Sequence, residues 1–213
     1  MTCFDDKDCA IKLGDVGGVV WAKASANIAL IKYMGKQDNS LNQSANPSLS
    51  YTLDDFIVKV ELIIAKKWRW ESLSDFGVEC FLTEKQQDRF LQHAKYLAHK
   101  LNIPGCFVVK SAGNFPSNCG IASSAASFAA LTAAMAYFAI KNGFVAKISL
   151  VAVARLSQHG SGSSCRSFLR GWVEWHDGIA TCPAFWPKCF ANVVIVSDLA
   201  KSVSSSKAHE RVK

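Results

Sequence analysis

This sequence has no CxxC pair and no histidine at zinc-finger spacing from any of its eight cysteines, at positions 3, 9, 80, 106, 119, 165, 182 and 189. The usual structural zinc frameworks are therefore excluded. It lacks the Gly-Lys-Ser/Thr of a Walker loop and the GxGxxG of a dinucleotide fold. No Ser–His–Asp arrangement is recognisable. Its longest apolar stretch, residues 125–140, is interrupted by Ser127, Thr132 and Tyr137. That is short of the roughly 20 residues a membrane span needs, and it reads as a buried helix. The opening MTCFDDKDCAIK holds acidic residues and no apolar core, so no secretory leader is expected. Thiols without an export signal imply a reducing cytosol rather than a disulfide scaffold. Cys106 and Cys189 lie in apolar runs, where a thiol acts as a small hydrophobe. No repeat, low-complexity tract or linker divides the chain, so residues 1–213 are expected to form one domain.

What is present is a 213-residue chain, half hydrophobic, with 19% charged residues and a formal net charge of +7. That is long enough for a well-buried core. The basic residues are scattered rather than gathered in an aromatic-interleaved stripe, which argues against nucleic acid and leaves a small polyanionic substrate as the natural partner. The one compact basic-aromatic cluster, Lys66-Lys67-Trp68-Arg69-Trp70, reads as a solvated strand end.

Residues 19–31 read as a strand ending at Lys32, and residues 40–47 as an Asn/Ser loop. Residues 57–64 alternate, with Val58, Val60, Leu62 and Ile64 on one face and Lys59 and Glu61 on the other, which predicts a half-buried strand. Thr83 with Gln86 forms a capping box. It opens a helix bearing Phe90, Ala94, Leu97 and Leu101, stopped by Pro104. A short strand at 107–109, an Ala-rich helix ending near Gly143, a helix over 146–158 ending at Gly160, and a buried strand at 193–196 complete the expectation. Strands and helices mix without a βαβα rhythm, so the fold class is α+β.

Three segments carry chemistry. In Asn114-Phe-Pro-Ser-Asn-Cys-Gly-Ile-Ala-Ser-Ser-Ala-Ala126, Pro116 and Gly120 bend the backbone and small residues allow close approach. The following helix presents N–H groups and its positive dipole end, with the Ser123 and Ser124 hydroxyls beside them. Composition alone fits either an anion cradle or a loop whose small residues merely pack closely. Lys32 and Lys36 share a face if the turn between them is helical; otherwise they are two solvated lysines at a strand end. Ser161-Gly162-Ser163-Ser164 leads into a short helical stretch where N–H groups and hydroxyls converge, and Arg166 adds a fork suited to carboxylate or phosphate. The plainer alternative is a Ser-capped helix start with a surface arginine.

The first segment, NFPxxxGxASSAA, resembles the phosphate loop of the GHMP kinase superfamily in the form typical of mevalonate diphosphate decarboxylases. Asn27-Ile-Ala-Leu-Ile-Lys-Tyr-Met-Gly-Lys-Gln-Asp38 is similar to that family's NIAxIKYWGKxD, and Gly160-Ser-Gly-Ser-Ser-Cys-Arg-Ser167 to its GSGSACRS. The resemblance runs from residue 22 to about 198. It implies the superfamily's N-terminal domain, a ribosomal-protein-like two-layer fold with a mixed sheet packed on helices.

It also implies ATP and Mg2+ as cofactors. Pro116, Gly120, Ala122, Ser123, Ser124, Ala125, Ala126, Ser127 and Phe128 would hold ATP, with Ser124 at the metal. Tyr33, Met34, Gly35, Lys36, Arg89, Ser161, Gly162, Ser163, Ser164, Cys165 and Arg166 would bind mevalonate diphosphate. Arg166, Lys32 and Asn27 would serve the reaction: phosphorylation of the 3-hydroxyl, then loss of phosphate and carbon dioxide. Dimers are common in such a family.

Two departures matter. The family's catalytic aspartate comes from a later domain, so the chain is expected to be a truncated part without activity of its own. Asp38, Asp54, Asp55 and Asp177 read as solvated and do not replace it. Met34 stands where the family has tryptophan, which keeps open a phosphomevalonate decarboxylase or a small-molecule kinase; a non-catalytic nucleotide-binding domain is a further alternative. His93 and His99 are six apart and do not share a face, and His159 is read as structural.

Overall fold

The alternation at Val58, Val60 and Leu62 belongs to a strand much longer than the sequence suggested. In the computed structural model, β5 spans Ser48–Ala65. The structure describes residues 2–32, 36–38, 43–44, 46–78, 82–116, 121–176, 179–181, 187, 189 and 191. Before β5 come β1 (Lys12–Val16), β2 (Val19–Ile31), β3 (Lys36–Asp38) and β4 (Gln43–Ser44). After it come β6 (Arg69–Ser72), α1 (Glu84–Lys100), β7 (Cys106–Gly113), α2 (Ser123–Lys141), α3 (Leu150–Gln158), β8 (Trp172–His176) and β9 (Ile179–Thr181).

The main sheet runs β1-β2-β5-β7-β6, antiparallel except for the parallel β6–β7 pair. β5 is long enough to serve two neighbours on one edge: its second half pairs β7, and its first half pairs β8, which carries β9. Helices cover one face. The result is the expected α+β two-layer fold with a mixed sheet.

Two physical features place the site. First, the β2–β5 register jumps between Ser25 and Ala26, where pairing passes from Ile57 to Leu53. Asn114 fills this irregularity: its Oδ1 accepts from Ile57 N at 2.7 Å and its Nδ2 donates to Asp55 O at 2.7 Å. An irregularity of this kind breaks the alternation that a sequence reading relies on. Second, α2 is buried along most of its length, with Ala125, Ala126, Ala129, Ala130, Ala133 and Ala134 fully enclosed. Alanine lets the sheet and the other helices approach the α2 backbone from several sides at native packing density. Thus the apolar run is an interior helix, as expected.

The Thr83–Gln86 capping box is present, and Phe90, Ala94, Leu97 and Leu101 are all buried. Five readings need correction. The third helix starts at Leu150, because the Ser149 hydroxyl accepts from Ala152 N at 3.2 Å and caps it; residues 146–149 are not helical. Ile64 sits near the end of its strand and is 68% exposed. The strand read at 107–109 is the eight-residue β7. The Lys66–Trp70 cluster is more than a solvated strand end: Trp70 lies on β6 and donates to the Ser111 hydroxyl at 2.8 Å, and Trp68 packs on Phe107. Within residues 40–47, read as a loop, Gln43–Ser44 instead form β4 paired with β3; residues 40–42, 45 and all of 193–196 lie outside the described residues.

Candidate functional site

The sequence between α3 and β8 folds back over the sheet as a 3-10 turn, Ser164–Phe168. Its residues are buried, and polar groups of β2 and β5 receive it. Asn27 Nδ2 donates to Ser167 Oγ at 2.8 Å. Arg166 Nη1 donates to Ser48 Oγ at 2.8 Å, and its guanidinium lies 6.0 Å from the Trp175 ring centroid. Thr52 Oγ1 donates to Leu169 O at 2.7 Å. Arg166 is only 3% exposed and Asn27 1%. A buried guanidinium beside an aromatic face and a hydroxyl is an oriented cation rather than a surface charge. Asn27 Oδ1, equally buried, has no hydrogen-bond partner among the described residues. Such an orphan is costly unless a ligand or neighbouring group completes it.

The turn preceding this segment is internally braced. Ser164 Oγ donates to Ser161 O at 2.7 Å and lies 2.6 Å from Ser157 Oγ. The hydroxyl of Ser164 is thus committed to the fold, while Ser163 is half-buried and Ser161 and Gly162 are buried. Cys165 is fully enclosed, and burial pushes its thiol up to about 11, so it is no nucleophile. Arg89, on α1, donates from Nη2 to Gly160 O at 2.5 Å with its guanidinium 5.1 Å from the Phe128 ring centroid.

The start of α2 is a second element whose geometry suits an anion. Ala122 occupies the N-cap in the left-handed region (φ 57°), and among the described residues no side chain caps the helix. N–H groups of a first turn have no intrahelical acceptor, and the dipole favours an anion there. Ser124 is exposed and Ser123 half-buried; Ser127 Oγ bonds back to Ser123 O at 2.9 Å. Ala125 and Ala126 are fully buried, and their N–H groups donate to Ala122 O at 2.9 and 3.3 Å, so of this first turn it is Ser123 and Ser124 that face outward. Pro116 is exposed. Gly120, Tyr33, Met34 and Gly35 fall outside the described residues. Lys32 is exposed at the end of β2, and Lys36 opens a strand rather than continuing a helical turn.

The structure therefore brings Asn27 beside the Arg166 turn, and Arg89 and Phe128 against Gly160. Sequence reasoning missed Ser48, Ser167 and Trp175. Ser48, Ser50 and Thr52 alternate along β5, a period-two polar row that marks a sheet face covered by something polar. Among the described residues no cluster of His, Cys, Asp or Glu could hold a metal.

The profile of the diphosphomevalonate decarboxylase-like N-terminal domain matches residues 24–185. The diphosphomevalonate decarboxylase of Saccharomyces cerevisiae is 32% identical over 206 residues, covering 86% of this chain and 51% of its own length. A mevalonate diphosphate decarboxylase structure from Legionella pneumophila superposes with a TM-score of 0.77 at 37% identity, covering 90% of this chain and 62% of that one. One from Enterococcus faecalis, described as showing a mevalonate diphosphate mediated ATP binding mechanism, gives 0.65 at 30% identity, over 78% of this chain and 52% of that one. The chain spans about half the length of the curated relatives it matches. On the profile, the identity and the shared fold together, this chain belongs to the diphosphomevalonate decarboxylase family, matching its N-terminal domain.

Proposed function

We propose that this chain is the ATP- and substrate-anion-binding half of an enzyme that converts mevalonate 5-diphosphate to isopentenyl diphosphate. The observation that carries the reading is the buried Arg166 guanidinium, oriented by Ser48 and Trp175 in the turn whose Ser167 accepts from Asn27, with the Asn27 Oδ1 lacking a partner among the described residues. A fixed fork suits a carboxylate, and an acceptor oxygen suits a hydroxyl proton. Mevalonate diphosphate offers both on one carbon skeleton.

The chemistry then has a clear logic. The terminal phosphoryl of ATP passes to the tertiary 3-hydroxyl, turning a poor leaving group into a good one. The C–O bond to phosphate and the C–C bond to the carboxylate break, and the released electron pair forms the new double bond. Arg166 holds the carboxylate until that point. The uncapped first turn of α2 receives phosphate oxygens, an arrangement that stabilises transferring charge without reorganisation. Mg2+ would be held by the nucleotide phosphates and the exposed Ser124 hydroxyl, since it commonly retains waters and few protein ligands. Bound there, it neutralises developing charge on the phosphates. Lys32 and Lys36 supply positive charge for the diphosphate, and the aspartate that polarises the 3-hydroxyl belongs to the half of the relatives that this chain does not span.

Titration calorimetry with mevalonate 5-diphosphate in the presence of a non-hydrolysable ATP analogue and Mg2+ tests the reading. Binding is expected, with at least tenfold weakening in Arg166→Ala, in line with about 1.5–3 kcal/mol for a charge-assisted hydrogen bond. Absence of binding to the unmodified chain would sink it. Met34, in place of tryptophan, favours trying mevalonate 5-phosphate in parallel; preference for that ligand would redirect the assignment to a sister decarboxylase.

A further inference from the structure

The turn at residues 160–164 is gripped from α1. Arg89 bonds the Gly160 carbonyl at 2.5 Å. The Gly160 backbone rests on Phe128 so closely that an added Cβ would meet the ring at 2.1 Å. One residue earlier, His159 stacks on Tyr96 with centroids 4.0 Å apart and 7° between planes. Behind them His93 stacks within 5.9 Å of both rings and shares a 3.0 Å hydrogen bond with Thr132 of α2. Arg89, His93, Tyr96 and Lys100 recur at spacings of four, three and four, a single stripe of α1 facing one place.

We infer that this stripe is a positioning device: Arg89 acts through the Gly160 carbonyl, and Tyr96 through His159, to fix the main chain of residues 160–164 before any ligand arrives. The inference deepens the functional reading, because that turn is where the substrate anion is placed, but its structural content stands in the ligand-free chain. Arg89 is thus a positioning residue and not a direct ligand of the substrate. The turn's own hydrogen bonds run within residues 157–166, whereas the charge-assisted bond from Arg89 ties it to α1, and its loss loosens that attachment.

The test is amide hydrogen exchange on the ligand-free chain, comparing the unmodified protein with Arg89→Met, Arg89→Lys and Tyr96→Leu. Methionine keeps a stem to lie on Phe128 and removes the donor. Exchange across residues 160–164 should rise by about tenfold or more in Arg89→Met, fall back part of the way in Arg89→Lys, and rise in Tyr96→Leu. Amides of β2, β5 and β7 should be unchanged. Unaltered exchange in the turn would overturn the inference, as would a uniform rise across the sheet, which would mark Arg89 as a general stabiliser. Inorganic pyrophosphate binding by the same variants separates this from the function: weaker binding with unchanged exchange makes Arg89 a direct ligand and refutes the positioning role. Failure of the unmodified chain to bind pyrophosphate counts against the functional reading while leaving the exchange result to decide the inference.

Discussion

Asn27 and Ser167 are 140 residues apart in sequence and 2.8 Å apart in space, joined by one buried hydrogen bond that seats the Arg166 turn on β2. Ser167 is fully enclosed and Asn27 nearly so. Ser167→Ala should strip the amide of that contact, while the other end of the same side chain has no partner among the described residues. The expected cost is about 1–3 kcal/mol of unfolding free energy, read from the urea midpoint at constant m-value. A loss within error would mean that the amide is satisfied in another way.

Gly160→Ala tests the close approach to Phe128. The new methyl must displace the ring or the turn, since the geometry leaves 2.1 Å. Overpacking of this kind costs about 1–3 kcal/mol. In a double-mutant cycle, Phe128→Ala should make the alanine at 160 far better tolerated; additive effects would place the two sites out of contact.

Stability should fall with pH in a manner traceable to His93. Burial, then the nearby charges of His159 and Arg89, hold its pKa down to about 3 from 6.5. Phe128 and Thr132 of α2 and Tyr96 of α1 complete its surroundings and carry no charge at these pH values. A lowered histidine pKa means the folded state prefers the neutral ring. Its contribution is fully present above about pH 6.5 and is lost progressively as pH falls toward 3, at roughly 1.4 kcal/mol per unit. Urea midpoints at pH 7.5, 6 and 5 should therefore drop more steeply for the unmodified chain than for His93→Gln. Parallel curves would show that His93 carries no such linkage.

Cysteine reactivity offers an independent check of burial. Cys165 is enclosed with its thiol pushed up to about 11, whereas Cys189 is exposed. At pH 8 iodoacetamide should modify Cys189 within minutes and leave Cys165 intact until denaturant is added, as followed by peptide mass spectrometry. Native-state labelling of Cys165 would contradict the placement of the turn.

Local signals in the sequence were legible where short-range chemistry decides. Thr83 and Gln86 announce α1 because a capping box needs only four residues, and the alanine run announces α2 because no polar face exists to expose. The α3 boundary was misplaced because its cap, Ser149, competes with helix-compatible residues before it. β5 was cut short because the irregularity near Asp54 and Asp55, stabilised by Asn114 from another strand, breaks the alternation. Arg166 was singled out by its motif, yet Ser48 and Trp175, which orient it, lie 118 residues before and on the following strand. No local pattern links them. The same holds for Tyr96 and His159, whose stacking exists only once α1 and the end of α3 are packed together.

The account rests on two proposed anion sites, one at the first turn of α2 and one at the Arg166 guanidinium. A crystal of the chain soaked with mevalonate 5-diphosphate, a non-hydrolysable ATP analogue and Mg2+ examines both at once. The account predicts triphosphate oxygens on the main-chain N–H groups of Ser123 and Ser124 and the substrate carboxylate on the Arg166 guanidinium. Electron density for the ligands elsewhere, with Arg166 still bonded only within the protein and the α2 turn bare, would contradict it.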